Sequence, residues 1–349
     1  MFKRRETQAF LTMLFLIITT TFSTNSFAAF AGQKNKASKA AKKEAKNILE
    51  KDKKTVAPAT TGKPALFEER GDIAALDLYH GIGSEENAPQ APFTFEKEDT
   101  SGTNPKVKVT DANGVKWNVK FAEEVHAEIA CSRIVWACGY MVEESYFIAS
   151  GQIKGAKDLG RAKPYIGKDG SFSNAMFEKR ATNVARRNKP WSWLSNPFSN
   201  TREFSGLLIL VMLLNNWDTK DSNNEVLGMY DADGATVREW YIMSDWGASL
   251  GKSGSVFKHN KWDLKDYSKH KFIEKVGKKK IDFTYGGVMS GVLEKMPIDH
   301  VKWFAGIIGQ LSEKQLQEAF KAAGASDDEV TGFAGAVKKR IDELTAAVN

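Results

Sequence analysis

Cysteine and histidine are scarce: the 349 residues hold two Cys and five His. Cys131 and Cys138 lie in a stretch of helical periodicity, which spaces them roughly 10 Å along the axis, beyond the reach of a disulfide. They are expected as small buried residues. The histidines show neither His-x-His nor His-Glu-x-x-His spacing, so there is no zinc signature. No apolar run approaches the roughly 20 residues that span a bilayer. No internal repeat is visible.

Charge is plentiful, and its location matters more than its sum. The chain carries +7 with a pI near 9.1, which by itself invites a nucleic-acid reading. Residues 1–30 hold +2 of that and residues 31–56 hold +6, leaving residues 57–349 at −1. A core that is near neutral argues against specific nucleic-acid binding.

The first 31 residues have the parts of a secretory signal: Lys3, Arg4 and Arg5, an apolar run from Ala9 to Phe22, and small residues ending at Ala31. Cleavage after Ala31 predicts an exported protein, periplasmic or secreted, that does not span a membrane once the signal is removed. No cysteine stands near the cleavage site to accept a lipid. Residues 32–64 are rich in Lys, Ala and Thr and poor in large apolar residues, the composition of a solvated basic linker.

In the folded part, Phe93 to Glu98, Lys106 to Asp111 and Val115 to Phe121 alternate apolar and polar residues, the period of half-buried strands. Asn113-Gly114 supplies the positive φ angles of a tight hairpin between the second and third. Ala122 to Cys138 has helical spacing, and a strand pair is expected around Tyr140 to Ile153. Residues 160–200 read as irregular, with Trp191, Trp193 and Phe198 packed under a long loop. Thr201 to Leu214 reads as an apolar core helix. Glu225 to Tyr230 and Val237 to Ser244 read as strands about a turn at Asp231 to Gly234. The remainder reads as helical, with capping boxes at Ser312 to Gln315 and Ser326 to Glu329.

The chemistry concentrates after the apolar helix. Asn215-Asn216-Trp217-Asp218-Thr219-Lys220-Asp221-Ser222-Asn223 precedes the strand pair, and Asp245-Trp246-Gly247 follows it. Phosphoryl transfer requires a carboxylate to orient the nucleophile, a cation for the transferring charge and oxygen ligands for Mg²⁺. Asp218, Lys220, Asn223 and Asp245 present those groups in that order.

This pattern resembles the protein-kinase-like superfamily. Asp218-x-Lys220-x-x-Asn223 is similar to the core of the kinase catalytic loop, and Asp245-Trp246-Gly247 to its metal-binding Asp-Phe-Gly. Lys120 ends the third strand, where that family places the lysine that grips the α and β phosphates. Ser101, Gly102 and Thr103 occupy the loop that covers the phosphates. The run Gly102 to Lys106, with Trp117 to Lys120, looks closest to HipA-type bacterial kinases. Residues 90–250 carry the resemblance.

It implies an α+β, two-lobed fold. Residues 65–155 would form an N-lobe of antiparallel sheet with one helix, and residues 156–349 a mainly helical C-lobe. Lys120, Glu128, Ser101, Gly102 and Thr103 would bind ATP, Asn223 and Asp245 would hold Mg²⁺, and Asp218 and Lys220 would act on the transferred phosphate.

Two departures qualify the pattern. Asn216-Trp217 stands where many kinases have His-Arg, which puts control by a phosphorylated activation segment in doubt. Few residues separate Lys120 from the helix, so either Glu124 or Glu128, four apart on one face, can supply its partner, with Glu128 preferred. A competing phosphate-loop reading fails: Gly247 to Ser253 resembles a Walker loop but has three residues between its glycines where four are needed.

The leading expectation is thus an exported kinase-like phosphotransferase that moves the γ-phosphate of ATP to an unidentified acceptor. The alternative is a non-catalytic kinase-like binding module of the cell envelope. Protein, lipid, sugar and nucleotide acceptors stay open, as does transfer of AMP. Lys258 to Lys280, with nine Lys against three acids, reads as a solvated face or as a contact for an acidic substrate.

Overall fold

A computed structural model describes residues 62–230, 236–253 and 259–349. The expected leader, the linker up to residue 61, the turn at 231–234 and Lys258 lie outside the described residues. Strand β1 (Lys63–Ala65) takes in the last positions assigned to the linker.

The small lobe is built on β2 (Phe93–Glu98), β3 (Lys106–Thr110), β4 (Lys116–Lys120), helix α1 (Glu124–Ala137), β5 (Ser145–Lys154) and β6 (Ser171–Lys179). The five strands close into a barrel in the order β2-β3-β4-β6-β5. Only the β2–β5 pair is parallel. Val107, Val109, Trp117 and Val119 alternate into its interior and are fully buried, where they meet Phe93, Phe172 and Phe177.

The β3–β4 turn is tied by Asp111. Its Oδ1 accepts from the amides of Asn113 and Val115, both at 2.9 Å, and its Oδ2 accepts from Trp117 Nε1 at 3.0 Å. Of the Asn113-Gly114 pair only Gly114 takes positive φ, at 77°, because this loop is longer than a two-residue hairpin.

The strand pair expected at 140–153 is a single long strand, β5, whose partner β6 arrives after an insertion at residues 155–170. The barrel sheet therefore runs on to Lys179. β6 escaped the sequence reading because both its faces are covered. Ala175 and Phe177 enter the barrel core while Met176 packs into the main core, so hydrophobicity does not alternate.

α1 is buried on nearly every side. Its Cys131 and the adjacent Cys138 are free and buried, and burial pushes both thiols well above their ordinary range.

The larger lobe begins with β7 (Val184–Arg186) and α2 (Arg202–Leu213), whose N-terminus is capped by Thr201 Oγ1 accepting from Phe204 N at 3.1 Å. Every residue from Phe204 to Leu213 is buried. Trp191 and Trp193 pack edge to face beside Phe204, with centroids 4.7 Å apart. β8 (Asn224–Tyr230) and β9 (Thr236–Met243) form a sheet in the order β1-β9-β8-β7.

After α3 (Leu264–Lys269) comes a meander where the sequence predicts helix: β10 (Ile273–Val276), β11 (Lys280–Phe283) and β12 (Lys295–Pro297). Strands this short contain too few residues to declare a period. Helices α4 (Ile298–Ile308), α5 (Glu313–Ala322) and α6 (Asp327–Ala346) complete the lobe, with both capping boxes formed. Among the described residues no helix is long and apolar enough to cross a membrane.

Candidate active site

Alternation along β4 decides where Lys120 points. Trp117 and Val119 fill the barrel, so Asn118 and Lys120 face outward toward α1. Between β4 and α1 the chain turns through Ala122 at φ 81°, a left-handed conformation that a residue with a Cβ adopts at a cost of about 1–2 kcal/mol. That turn starts the helix early enough for Glu128 to face the lysine.

Lys120 Nζ lies 2.7 Å from Glu128 Oε1 and 2.9 Å from Glu178 Oε2. Glu178 Oε1 accepts in turn from Asn118 Nδ2 at 2.9 Å. Glu124 turns instead to Lys261.

This cluster is enclosed, and its titration follows from that. Burial works to discharge Lys120, but Glu128 and Glu178 outweigh it and hold the ammonium protonated well above its ordinary range. Burial, opposed by Lys120 and reinforced by Asp245, pushes Glu128 up to about 8. Glu178 goes the other way: against burial, Lys120 and Arg186 pull it down to about 2. Glu128 Oε2 is buried with no hydrogen-bond partner among the described residues.

The second half of the site hangs from the end of α2. Asn215, at φ 55°, turns the chain out of the helix and anchors it by donating from Nδ2 to Gly251 O at 2.7 Å. Asn216 bridges the two motifs: its Nδ2 donates to Asp245 O at 2.9 Å, and its Oδ1 accepts from Asp218 N at 3.0 Å. Asn223 Nδ2 donates to Asp218 O at 2.8 Å and to Asp218 Oδ2 at 3.2 Å. Ser244 closes the ring by donating from N and Oγ to Asn223 O at 2.9 and 3.0 Å.

Lys220 Nζ stands 2.8 Å from Asp218 Oδ2 and is half exposed. Tyr285, from beyond the meander's second strand, secures the loop from below through Asn216 O and Thr219 Oγ1, each at 2.8 Å. Trp246 is buried in the main core and donates from Nε1 to Met243 O at 3.0 Å. Gly247 passes so close to α1 that a Cβ there would stand 2.9 Å from Glu124 Cβ.

A cavity of about 20 Å³ joins the halves. It is lined by Glu128 and Glu178, the partners of Lys120, and by Ser244, the neighbour of Asp245 and partner of Asn223. Ser101, Gly102 and Thr103 are exposed on the β2–β3 loop, where Ser101 N and Oγ donate to Asp99 Oδ1 at 3.0 and 2.7 Å. Because Lys106 pairs with Lys120 in the ladder, that loop lies at the Lys120 end of the barrel. The Walker-like lysine, Lys252, is engaged by Asp266.

Glu178 and Tyr285 were missed by sequence reasoning, and Asn216 was read only as a departure from the kinase pattern. Glu178 sits in the strand whose period is masked, and neither Asn216 nor Tyr285 belongs to a motif of its own. Among the described residues no group of three or more His, Cys, Asp or Glu is arranged to hold a metal. Asn223 and Asp245 offer an amide and a carboxylate, hard oxygen donors of the kind Mg²⁺ accepts when most of its shell is water and phosphate.

No family model matches the chain, and neither does any curated protein. Among solved structures it is similar to the Helicobacter pylori proinflammatory kinase CtkA, with a TM-score of 0.45 and 12% identity over 74% of this chain and 98% of that one. It is also similar to the Golgi casein kinase, with a TM-score of 0.41 and 10% identity over 81% and 83% of the two chains. The same kinase with Mn/ADP bound has a TM-score of 0.41 and 11% identity over 77% of each.

Proposed function

We propose that the chain is a kinase-like phosphotransferase that moves the γ-phosphate of ATP to an acceptor hydroxyl with the help of Mg²⁺. One observation carries the reading: Glu128, the buried partner of Lys120, lines the same small cavity as Ser244, which is hydrogen-bonded to a ring joining Asp218, Asn223, Asn216 and Asp245. Two of the three Lys120 donors are taken by carboxylates, and the third is left for a phosphate oxygen.

Asp218 is held by its own amide and by Asn223, in position to orient an acceptor hydroxyl. Lys220, half exposed and paired with Asp218, would neutralise charge on the transferring group. Asn223 and Asp245 hold the metal. Mg²⁺, when bound, supplies charge neutralisation at the β and γ phosphates. The motif spacing from Gly102 to Lys120 supports a place near HipA-type kinases, and the leader supports export.

The small size of this cavity also favours a second reading, a non-catalytic binding module, because about 20 Å³ accommodates one water and not a purine. Two measurements on the purified protein separate them. Millimolar Mg·ATP should raise the melting temperature, since a ligand that binds only the folded state stabilises it. Asp245→Ala should abolish transfer of labelled γ-phosphate with an unchanged circular dichroism spectrum. Transfer that survives the substitution overturns the assignment, and the absence of any thermal shift points to the module.

A further inference from the structure

The insertion at residues 155–170 supplies no group for phosphoryl transfer, yet it is built as a rigid shelf. The Glu98 carboxylate at the end of β2 accepts from Gly160 N at 2.6 Å and from Ala162 N at 2.8 Å. Arg161 donates to the carbonyls of Thr100 and Gly102. Ala162 and Ile166 are buried in the barrel core, and the Tyr165 ring stacks on Phe121 with centroids 5.8 Å apart and planes at 17°. Between this shelf and the barrel end opens a groove of about 810 Å³. Tyr165 and Phe172 contribute apolar surface, Lys157, Lys163 and Lys168 stand exposed along it, and Asp158 is the one acid among its lining residues.

We propose that this groove docks an acidic polypeptide segment of a partner protein, with apolar side chains between its carboxylates. Three lysines against one acid give the groove a positive potential inside a core that is otherwise near neutral. Its apolar surface matches side chains that an extended segment presents between charges. A membrane surface suits it less: among the described residues the exposed large apolar ones are Tyr79, Val276, Val288 and Val292, none of which lines the groove. A nucleic acid suits it less as well, since such ligands track broad basic faces and residues 57–349 carry −1. The docked segment would lie next to the candidate active site, because Arg161 grips the Gly102 loop and Phe121 follows Lys120. Docking itself does not depend on phosphoryl transfer.

The test is fluorescence anisotropy with the full chain and a short fluorescein-labelled peptide of alternating Glu and Phe. Binding is expected, weakening as salt shortens the Debye length. Combined Lys157→Glu, Lys163→Glu and Lys168→Glu should weaken it about tenfold or more. The corresponding Lys→Gln triple variant should show a smaller loss in the same direction, and it decides the matter if charge reversal prevents folding. The Mg·ATP thermal shift, read on the same variants, should stay as in the wild type. A missing shift in the wild type with peptide binding intact would count against the phosphotransferase and not against the groove. The proposal is overturned if the triple variants bind the peptide as the wild type does, or if a Lys and Phe peptide binds equally well. It is also overturned if phosphatidylserine vesicles or a single-stranded oligonucleotide bind more tightly through the same lysines.

Discussion

Strand β4 separates two buried regions of opposite chemistry. On one face Trp117 and Val119 enter an apolar barrel core in which the Phe93 and Phe177 rings meet at 45° with centroids 4.6 Å apart. On the other, Lys120 is shared by Glu128 and Glu178. Strand β6 repeats the division, with Phe177 inside and Glu178 outside. Aromatic packing tolerates exchange at constant volume, whereas a buried ion cluster fails when one partner is lost and is often no more stabilising than apolar residues in its place. A lobe shaped for stability alone has no need of the second region. On the proposed reading the ionic face is the one that would carry the chemistry, with the barrel packed behind it.

Lys120→Met tests this contrast most severely. It removes the shared cation, so transfer of labelled phosphate should fall on the order of a thousandfold. The protein should also lose about 3–5 kcal/mol in urea melts, because the buried Glu128 and Glu178 side chains lose the cation they share. Near-wild-type transfer would dissolve the contrast.

Phe177→Ala, on the barrel side, should cost a similar 3–5 kcal/mol through cavity formation while transfer per folded molecule stays unchanged. A loss of activity larger than the loss of folded protein would show that the two faces are coupled.

The smallest effect is a pH slope. In the fold burial, opposed by Lys120 and reinforced by Asp245, raises Glu128 from an ordinary 4.5 to about 8. Its contribution to stability is thus full at acid pH and fades as pH rises through about 8. The melting temperature of wild type minus that of Glu128→Gln should fall across this window. A flat or rising difference would place the charge balance elsewhere in the cluster.

Several elements were legible because their signals are local. Thr201 and the unbroken apolar run behind it mark α2, Ser312 and Ser326 mark two helix starts, and alternation marks β2, β3 and β4. The order of Asp218, Asn223 and Asp245 around a strand pair was also visible. β6 and the β10–β12 meander were not, the first because both faces are covered and the second because its strands are too short.

What the sequence determined by itself was the supply and order of groups: a cation at the end of a strand, a carboxylate and an amide in one loop, and a second carboxylate after a hairpin. Such patterns depend on neighbours within a turn or a strand, where backbone geometry dictates spacing. Only the tertiary structure decided which groups meet. It turned Glu128 rather than Glu124 to Lys120, brought Glu178 to the same ammonium, and let Asn216 join Asp218 to Asp245. Those contacts bring together residues from separate strands, helices and loops, and no local period records them, because they exist only once the barrel has closed and α1 has packed against it.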